Sequence, residues 1–260
     1  MYGAVIGDLA GSIYEYNQTK KIKSVRIDKI INEKAFYSDD TILTIAIIDA
    51  ILNNGDYDLY LKKYINEYKN YHPSFSPYFK NAFSKSIIDW SNEKNNGTSQ
   101  GNGALMRISP VGYMFDNELD IINNVILATS PTHNSKEAIS SSIKLALMIY
   151  YFRKGLCKEE VYKKLDIKLD FQCFKKFNTT CDETLSNCLY VLYYSNSFID
   201  SIKNTLLMGG DTDTNAAIVG SVAEALYGIP KELVKESEEK IPSSFVKVLR
   251  KAKVKDINNR

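Results

Sequence analysis

Thr41-Ile42-Leu43-Thr44-Ile45-Ala46-Ile47-Ile48-Asp49-Ala50-Ile51-Leu52 is an almost unbroken apolar run, preceded by Ser38-Asp39-Asp40 and stopped by Asn53-Asn54-Gly55. Serine and aspartate ahead of such a run are helix-start chemistry. Their oxygens accept from free backbone N–H groups, and acids in the first turn meet the positive end of the helix dipole. Asn-Asn-Gly is a stop signal. The run therefore reads as a helix whose flanks are nearly all of buried type. Working outward, Val5, Ile6 and Leu9 begin an N-terminal helix. Leu59 to Tyr68, Phe79 to Trp90, Ile121 to Leu127 and Lys136 to Tyr151 can each be drawn as amphipathic helices. Ala216 to Tyr227 forms another, ended by Gly228 with Pro230 just beyond. Three-four spacing recurs through most of the chain and period-two alternation is scarce, so the expected class is all-α, with about ten helices.

The chain has 260 residues, of which 44% are hydrophobic and 25% charged, the balance of a soluble globular protein whose core needs no disulfide staples. A net charge of +2 leaves no electrostatic footprint for nucleic acid. The short basic runs around Lys20, Lys21, Lys23 and Arg26 and around Lys251, Lys253 and Lys255 read as solvated surface. Cys157, Cys173, Cys181 and Cys188 form no Cys-x-x-Cys pair and have no histidine nearby, which argues against zinc. No segment approaches the roughly 20 apolar residues of a bilayer crossing. The start Met1-Tyr2-Gly3-Ala4-Val5-Ile6 has neither the basic nor the apolar region of a signal peptide. The expectation is a cytoplasmic protein with reduced thiols and no membrane partner. No boundary divides the chain, so residues 1–260 are expected to form one domain and to act as a monomer.

Two acidic motifs carry the chemistry. Ser38-Asp39-Asp40-Thr41 precedes the long apolar helix, and Gly209-Gly210-Asp211-Thr212-Asp213-Thr214 precedes the helix Ala216 to Tyr227. Either motif alone is explained by capping. Together they place four aspartates and several hydroxyls at the starts of two similar helices. In a nonhelical turn Asp211 and Asp213 can aim at one point, and the glycine pair permits close backbone approach. So many like charges converge only where a cation neutralises them, and hard oxygen ligands suit magnesium, manganese or calcium, in a centre of one metal or two.

Upstream, Gly3, Gly7 and Gly11 recur every four residues and make one smooth stripe suited to close helix–helix packing. Glu15 follows that helix, where a carboxylate beside a metal site can serve as general acid or base. Asn92 to Gly103 contains three glycines and no apolar residue, so it reads as a surface loop and a candidate ligand contact. A lone histidine such as His133 is more often a surface or hydrogen-bonding residue than a catalyst, and Arg107 is explained as readily by bracing a loop as by touching phosphate.

Taken together, these segments resemble the ADP-ribosylglycohydrolase family over nearly the whole chain. The resemblance rests on Gly3-Ala4-Val5-Ile6-Gly7-Asp8 with Glu15, Ser38-Asp39-Asp40-Thr41, Gly101-Asn102-Gly103-Ala104-Leu105-Met106-Arg107, Thr132-His133 and Gly209-Gly210-Asp211-Thr212-Asp213-Thr214, five motifs in family order. It implies a single all-α domain of orthogonally packed helices with a metal cleft between helix ends. By motif position, Ser38, Asp39, Asp40, Asp211, Asp213 and Thr214 would hold two Mg²⁺ ions, with Mn²⁺ as an alternative. Glu15, Asp40 and Asp211 would be catalytic. Asn96, Gly97, Thr98, Ser99, Gly101 and Asn102 would wrap a diphosphate and the distal ribose, with His133 near the adenosine. Leu105 and Asn215 depart from the commoner family residues without removing a ligand. The implied reaction is hydrolysis of the bond joining ADP-ribose to a modified protein, nucleic acid or small molecule. The competing readings are a noncatalytic ADP-ribose- or nucleotide-binding protein of the same fold and a metal-stabilised interaction domain.

Overall fold

The computed structural model describes residues 1–14, 26–73, 81–93, 97–169 and 179–258. Among them are thirteen α-helices and no strand, the two isolated β-bridges being Thr98 with His133 and Gly101 with Thr180. The chain is all-α. The helices are α1 (Tyr2–Gly11), α2 (Asp39–Leu52), α3 (Tyr57–Tyr68), α4 (Lys85–Ser91), α5 (Leu105–Met114), α6 (Glu118–Thr129) and α7 (Lys136–Arg153). They continue with α8 (Lys158–Lys164), α9 (Cys181–Tyr194), α10 (Phe198–Met208), α11 (Thr212–Tyr227), α12 (Lys231–Glu238) and α13 (Ser243–Asn258). No described helix is long and apolar enough to cross a membrane.

The centre is built by α1, α2 and α11. Every residue of α1 is buried, and in α2 everything from Asp40 to Ile48 is buried, as a helix apolar on all flanks requires. The glycine stripe of α1 lies antiparallel against α11. A Cβ placed on Gly3 would sit 2.1 Å from the Gly220 carbonyl oxygen, on Gly7 1.9 Å from that of Ala216, and on Gly11 2.3 Å from that of Thr212. The two backbones meet more closely than any side chain permits, and Thr212 Oγ1 donates to the Gly11 carbonyl at 2.9 Å. This contact sets the last turn of α1 beside the first turn of α11.

Several boundaries differ from the sequence reading. The expected helix Phe79 to Trp90 starts at Lys85 after the cap residue Ser84, because residues 81–84 follow another path in which the Ala82 N–H donates to the Tyr71 carbonyl. Phe79 itself lies outside the described residues. Ile121 to Leu127 is the middle of a longer helix opened by Asn117, whose side chain accepts from the Asp120 N–H. The helix expected at Ala216 begins one turn earlier, at Thr212. Asn92 to Gly103 is not wholly a surface loop, since Asn102 is buried and Asn102–Ala104 forms a 3-10 turn leading into α5. There are more helices than the expected ten because some, such as α8 and α12, have only seven or eight residues, too few to display a helical period.

Candidate active site

Three helix ends supply the acidic cluster. Asp8 projects from the last turns of α1, Ser38, Asp39 and Asp40 open α2, and Asp211, Asp213 and Thr214 open α11. One carboxylate oxygen each from Asp8, Asp40 and Asp213 lies within 4.8 Å of the others. The capping expected of Ser38 is also present, its Oγ accepting from the Asp40 N–H at 3.2 Å. Contrary to the nonhelical turn expected for both motif acids, Asp211 is the cap residue and Asp213 already belongs to the helix.

Asp8 is the residue that the sequence reading quoted without assigning a role. Its Oδ1 accepts from Ser38 Oγ at 2.8 Å, and its Oδ2 accepts from the Ser38 N–H, the Thr41 N–H and Thr41 Oγ1. A carboxylate offers about four acceptor sites. Asp8 therefore caps a second helix from outside and fixes where Ser38 and Asp40 stand. The signal available beforehand was one acid in an otherwise apolar and glycine helix.

Asp40 has the opposite arrangement. Its Oδ2 accepts from Ser38 Oγ and Thr214 Oγ1, while its buried Oδ1 has no partner. Asp211 Oδ2 accepts from Asn102 Nδ2 at 2.7 Å. Burial pushes the carboxyls of Asp8 and Asp211 above the usual range. Burial and then the charges of Asp8 and neighbouring acids push Asp40 well up and Asp39 up to about 7. Among the described residues, no lysine or arginine forms an ion pair with Asp8, Asp39, Asp40 or Asp211. Burying such charges without compensation costs several kcal/mol per ion, and an all-oxygen donor set with one idle carboxylate oxygen fits a hard divalent cation.

Beside the cluster opens a pocket of about 320 Å³, bounded by Asp39 and Leu43 of α2, Ile87 and Trp90 of α4, Met106 and Arg107 of α5, the loop Gly97 to Gly103, and Thr132 and His133. The loop is held on both sides by backbone bonds. The Gly97 and Ser99 N–H groups donate to the Pro131 and Thr132 carbonyls, and those of Asn102 and Cys181 donate to the Thr179 and Gln100 carbonyls. Gly97 is required here, because a Cβ would fall 2.5 Å from the Thr132 carbonyl oxygen. Arg107 is 1% exposed, donates to the Gly103 carbonyl and Thr132 Oγ1, and is lowered to about 10 by burial. Burial and then the charge of Arg107 push His133 down to about 3, so its ring is neutral.

The structure thus gathers Ser38, Asp39, Asp40, Asp211, Asp213 and Thr214 around one region, and lines the adjoining pocket with Gly97, Thr98, Ser99, Gly101 and His133. Asn102, expected at the ligand, donates from its amide to Asp211. Glu15 and Asn96 lie outside the described residues.

Comparison with known proteins gives a consistent result. The family model described as ADP-ribosylglycohydrolase matches residues 1–258. The chain is 22% identical to the ADP-ribosylarginine hydrolase Tri1 of Pseudomonas putida, over 88% of this chain and 70% of that one. It is also 22% identical to the ADP-ribosylhydrolase ARH3 of Mus musculus, over 94% of this chain and 86% of that one. A solved structure titled ADP-ribosylglycohydrolase-related protein complex superposes with a TM-score of 0.70 at 20% identity, covering 98% of this chain and 92% of that one, which is a likeness of fold. A family match over nearly every residue, on a fold that brings the acidic motifs to one place, shows that this chain belongs to the ADP-ribosylglycohydrolase family.

Proposed function

We propose that, as an ADP-ribosyl hydrolase acting as one domain, this chain is Mg²⁺-dependent and releases ADP-ribose from a modified protein, nucleic acid or small molecule. The carrying observation is the buried cluster of Asp8, Asp40 and Asp213, with Asp40 Oδ1 unpartnered, beside the pocket. Ser38, Asp39, Asp40, Asp211, Asp213 and Thr214 would hold two ions. Asp8, with its acceptor sites engaged by α2, orients them. When bound, Mg²⁺ supplies Lewis acidity and fixed anchor points for sugar hydroxyls.

The remaining chemistry belongs to the chain. Breaking the bond at the anomeric carbon of the proximal ribose builds oxocarbenium-like positive charge, so carboxylates beneath the sugar stabilise it while water approaches and the leaving atom gains a proton. Glu15, four residues beyond the end of α1, is the group assigned to move that proton, and Asp40 and Asp211 supply the negative charge. The N–H groups of Gly97, Ser99, Gly101 and Asn102 are already engaged inside the fold. Contact with a diphosphate would therefore rest more on the hydroxyls of Thr98 and Ser99 than on those amides. His133, being neutral and buried, adds no charge there.

The test is a panel of substrates carrying ADP-ribose on arginine, serine, an acetyl ester and a nucleic-acid end, assayed for free ADP-ribose with Mg²⁺ and with EDTA. Release from at least one substrate, abolished by EDTA, is expected. If calorimetry shows ADP-ribose binding but no substrate yields product, the noncatalytic reading replaces this one.

A further inference from the structure

Asp211 enters α11 from a turn that glycine suits. Gly209, just past the end of α10, has φ 85° and Gly210 has φ 78°, both in the left-handed region. Gly209 is buried, so its carbonyl needs a partner. That partner is Asn215, one turn into α11, whose Nδ2 donates to it at 3.2 Å. The backbone N–H of the same asparagine donates to the Asp211 carbonyl at 2.8 Å. Asn215 therefore grips the chain on both sides of Gly210, at the glycine before it and at the aspartate after it. Cys188 Sγ, on α9, donates to Asn215 Oδ1 at 3.7 Å, which matches an amide whose nitrogen faces Gly209. Asn215 is 4% exposed and does not line the pocket.

We propose that Asn215 is a positioning residue that pins the Gly209–Gly210 turn and so fixes where the Asp211 carboxylate stands before any cation arrives. The carboxylate itself accepts from Asn102 Nδ2 at 2.7 Å, so one amide sets the backbone of Asp211 and another its side chain. Without the first, two glycines ahead of the helix would let Asp211 sample several positions, and a cation would have to order it on binding. That Asp211 serves a cation rests on the function proposed above.

Nitrogen-15 NMR of the metal-free protein reads the position of Asp211 through its partner. The Asn102 side-chain amide, assigned as the pair of signals lost in Asn102→Asp, should exchange slowly with water in the wild type because it is bound to Asp211. In Asn215→Leu, which keeps the branched shape without the donor, and in Asn215→Ala, this protection should fall about 10-fold. Calorimetry with Mg²⁺ alone should give an affinity about 10-fold weaker in both variants. Val161→Ala truncates a buried side chain of α8, which packs on α7, and should lower the melting temperature while leaving both readings unchanged. If Asn215→Leu does not fold, Asn215→Ala decides. A folded variant that loses melting temperature as Val161→Ala does, but keeps the Asn102 protection or the Mg²⁺ affinity of the wild type, overturns the proposal, as does an Asn102 amide that exchanges freely in the wild type. Wild-type protein that binds no Mg²⁺ would refute the functional reading, while the Asn102 amide would still judge the positioning.

Discussion

Replacing Gly7 with alanine should loosen the centre of the molecule and the acidic cluster together. The new Cβ would lie 1.9 Å from the Ala216 carbonyl oxygen and 2.5 Å from the Ala217 nitrogen, both backbone atoms of α11 that no rotamer change can move. Carbon and oxygen come no closer than about 3.3 Å in stable contacts, so α1 and α11 must part by roughly 1.4 Å at this point. Gly3 and Gly11, on the same stripe, hold the helices at equally short approach on either side and resist the parting. Overpacking of this kind costs about 1–3 kcal/mol where side chains can adjust. With backbone on the far side the upper end applies. At ~2–4 °C per kcal/mol for a domain of this size, the melting temperature should fall by roughly 6–12 °C. Gly103→Ala is the matched control, because its Cβ would meet His133 at an ordinary 3.5 Å. Asp8 follows Gly7 directly and Asp213 stands three residues before Ala216, so the same displacement widens the acidic cluster, and Mg²⁺ affinity measured by calorimetry should drop as well. A Gly7→Ala protein that melts within about 2 °C of wild type and binds Mg²⁺ as tightly would refute the idea that this contact sets the site.

Three further outcomes are expected. Mg²⁺ at about 100 times its dissociation constant should stabilise the fold by ~2.7 kcal/mol, a rise of roughly 5–10 °C over EDTA in a thermal melt, and identical melts would show that no cation sits in the cluster. In metal-free protein, the Asp39 carboxyl is raised from 3.8 to about 7, and those of Asp8, Asp40 and Asp211 are raised too. A carboxyl raised by folding stabilises fully below its unfolded value and loses that stabilisation as the pH climbs through its folded value, so the metal-free melting temperature should decline between about pH 4 and pH 7 and saturating Mg²⁺ should flatten the decline. A flat metal-free profile would contradict the assigned directions. Finally, Asp211→Asn should weaken Mg²⁺ binding and abolish turnover, whereas Glu15→Gln should leave Mg²⁺ binding intact and slow turnover about 10² to 10⁴-fold, the size of a general acid–base contribution. Full activity in the glutamine variant would leave Glu15 without a proton-transfer role.

What could be read from the sequence followed from local chemistry. The start of α2 was legible because a cap residue and first-turn acids precede a long apolar run, while that of α11 was read one turn too late. The glycine stripe was legible as a packing surface because its period matches a helix face, although nothing in the sequence named α11 as its partner. Short helices such as α8 and α12 were not legible, since two turns show no period. The role of Asp8 was hidden for another reason. Its four donors come from Ser38 and Thr41, at a separation that only the folded chain closes. The bond from Asn102 to Asp211 was hidden similarly, because the two residues are 109 positions apart and only the folded chain brings them together.

The pairing of α1 with α11 also constrains the order in which the molecule can be made. Thr212 and Gly11 are 201 positions apart, and closing a flexible loop of that length costs roughly 5 kcal/mol in chain entropy, rising as 1.5RT ln n. The cost shrinks once the intervening helices have assembled, which places this contact late among folding events. On the ribosome α1 emerges 201 positions ahead of the residue it meets on α11. Until then a wholly apolar helix with a bare backbone stripe has nothing to cover it, and that is the exposed surface chaperones recognise. The acidic cluster, which takes Asp8 from α1 and Asp213 from α11, cannot assemble in a nascent chain that stops short of α11, so the cation binding proposed above would report that the two helices have met.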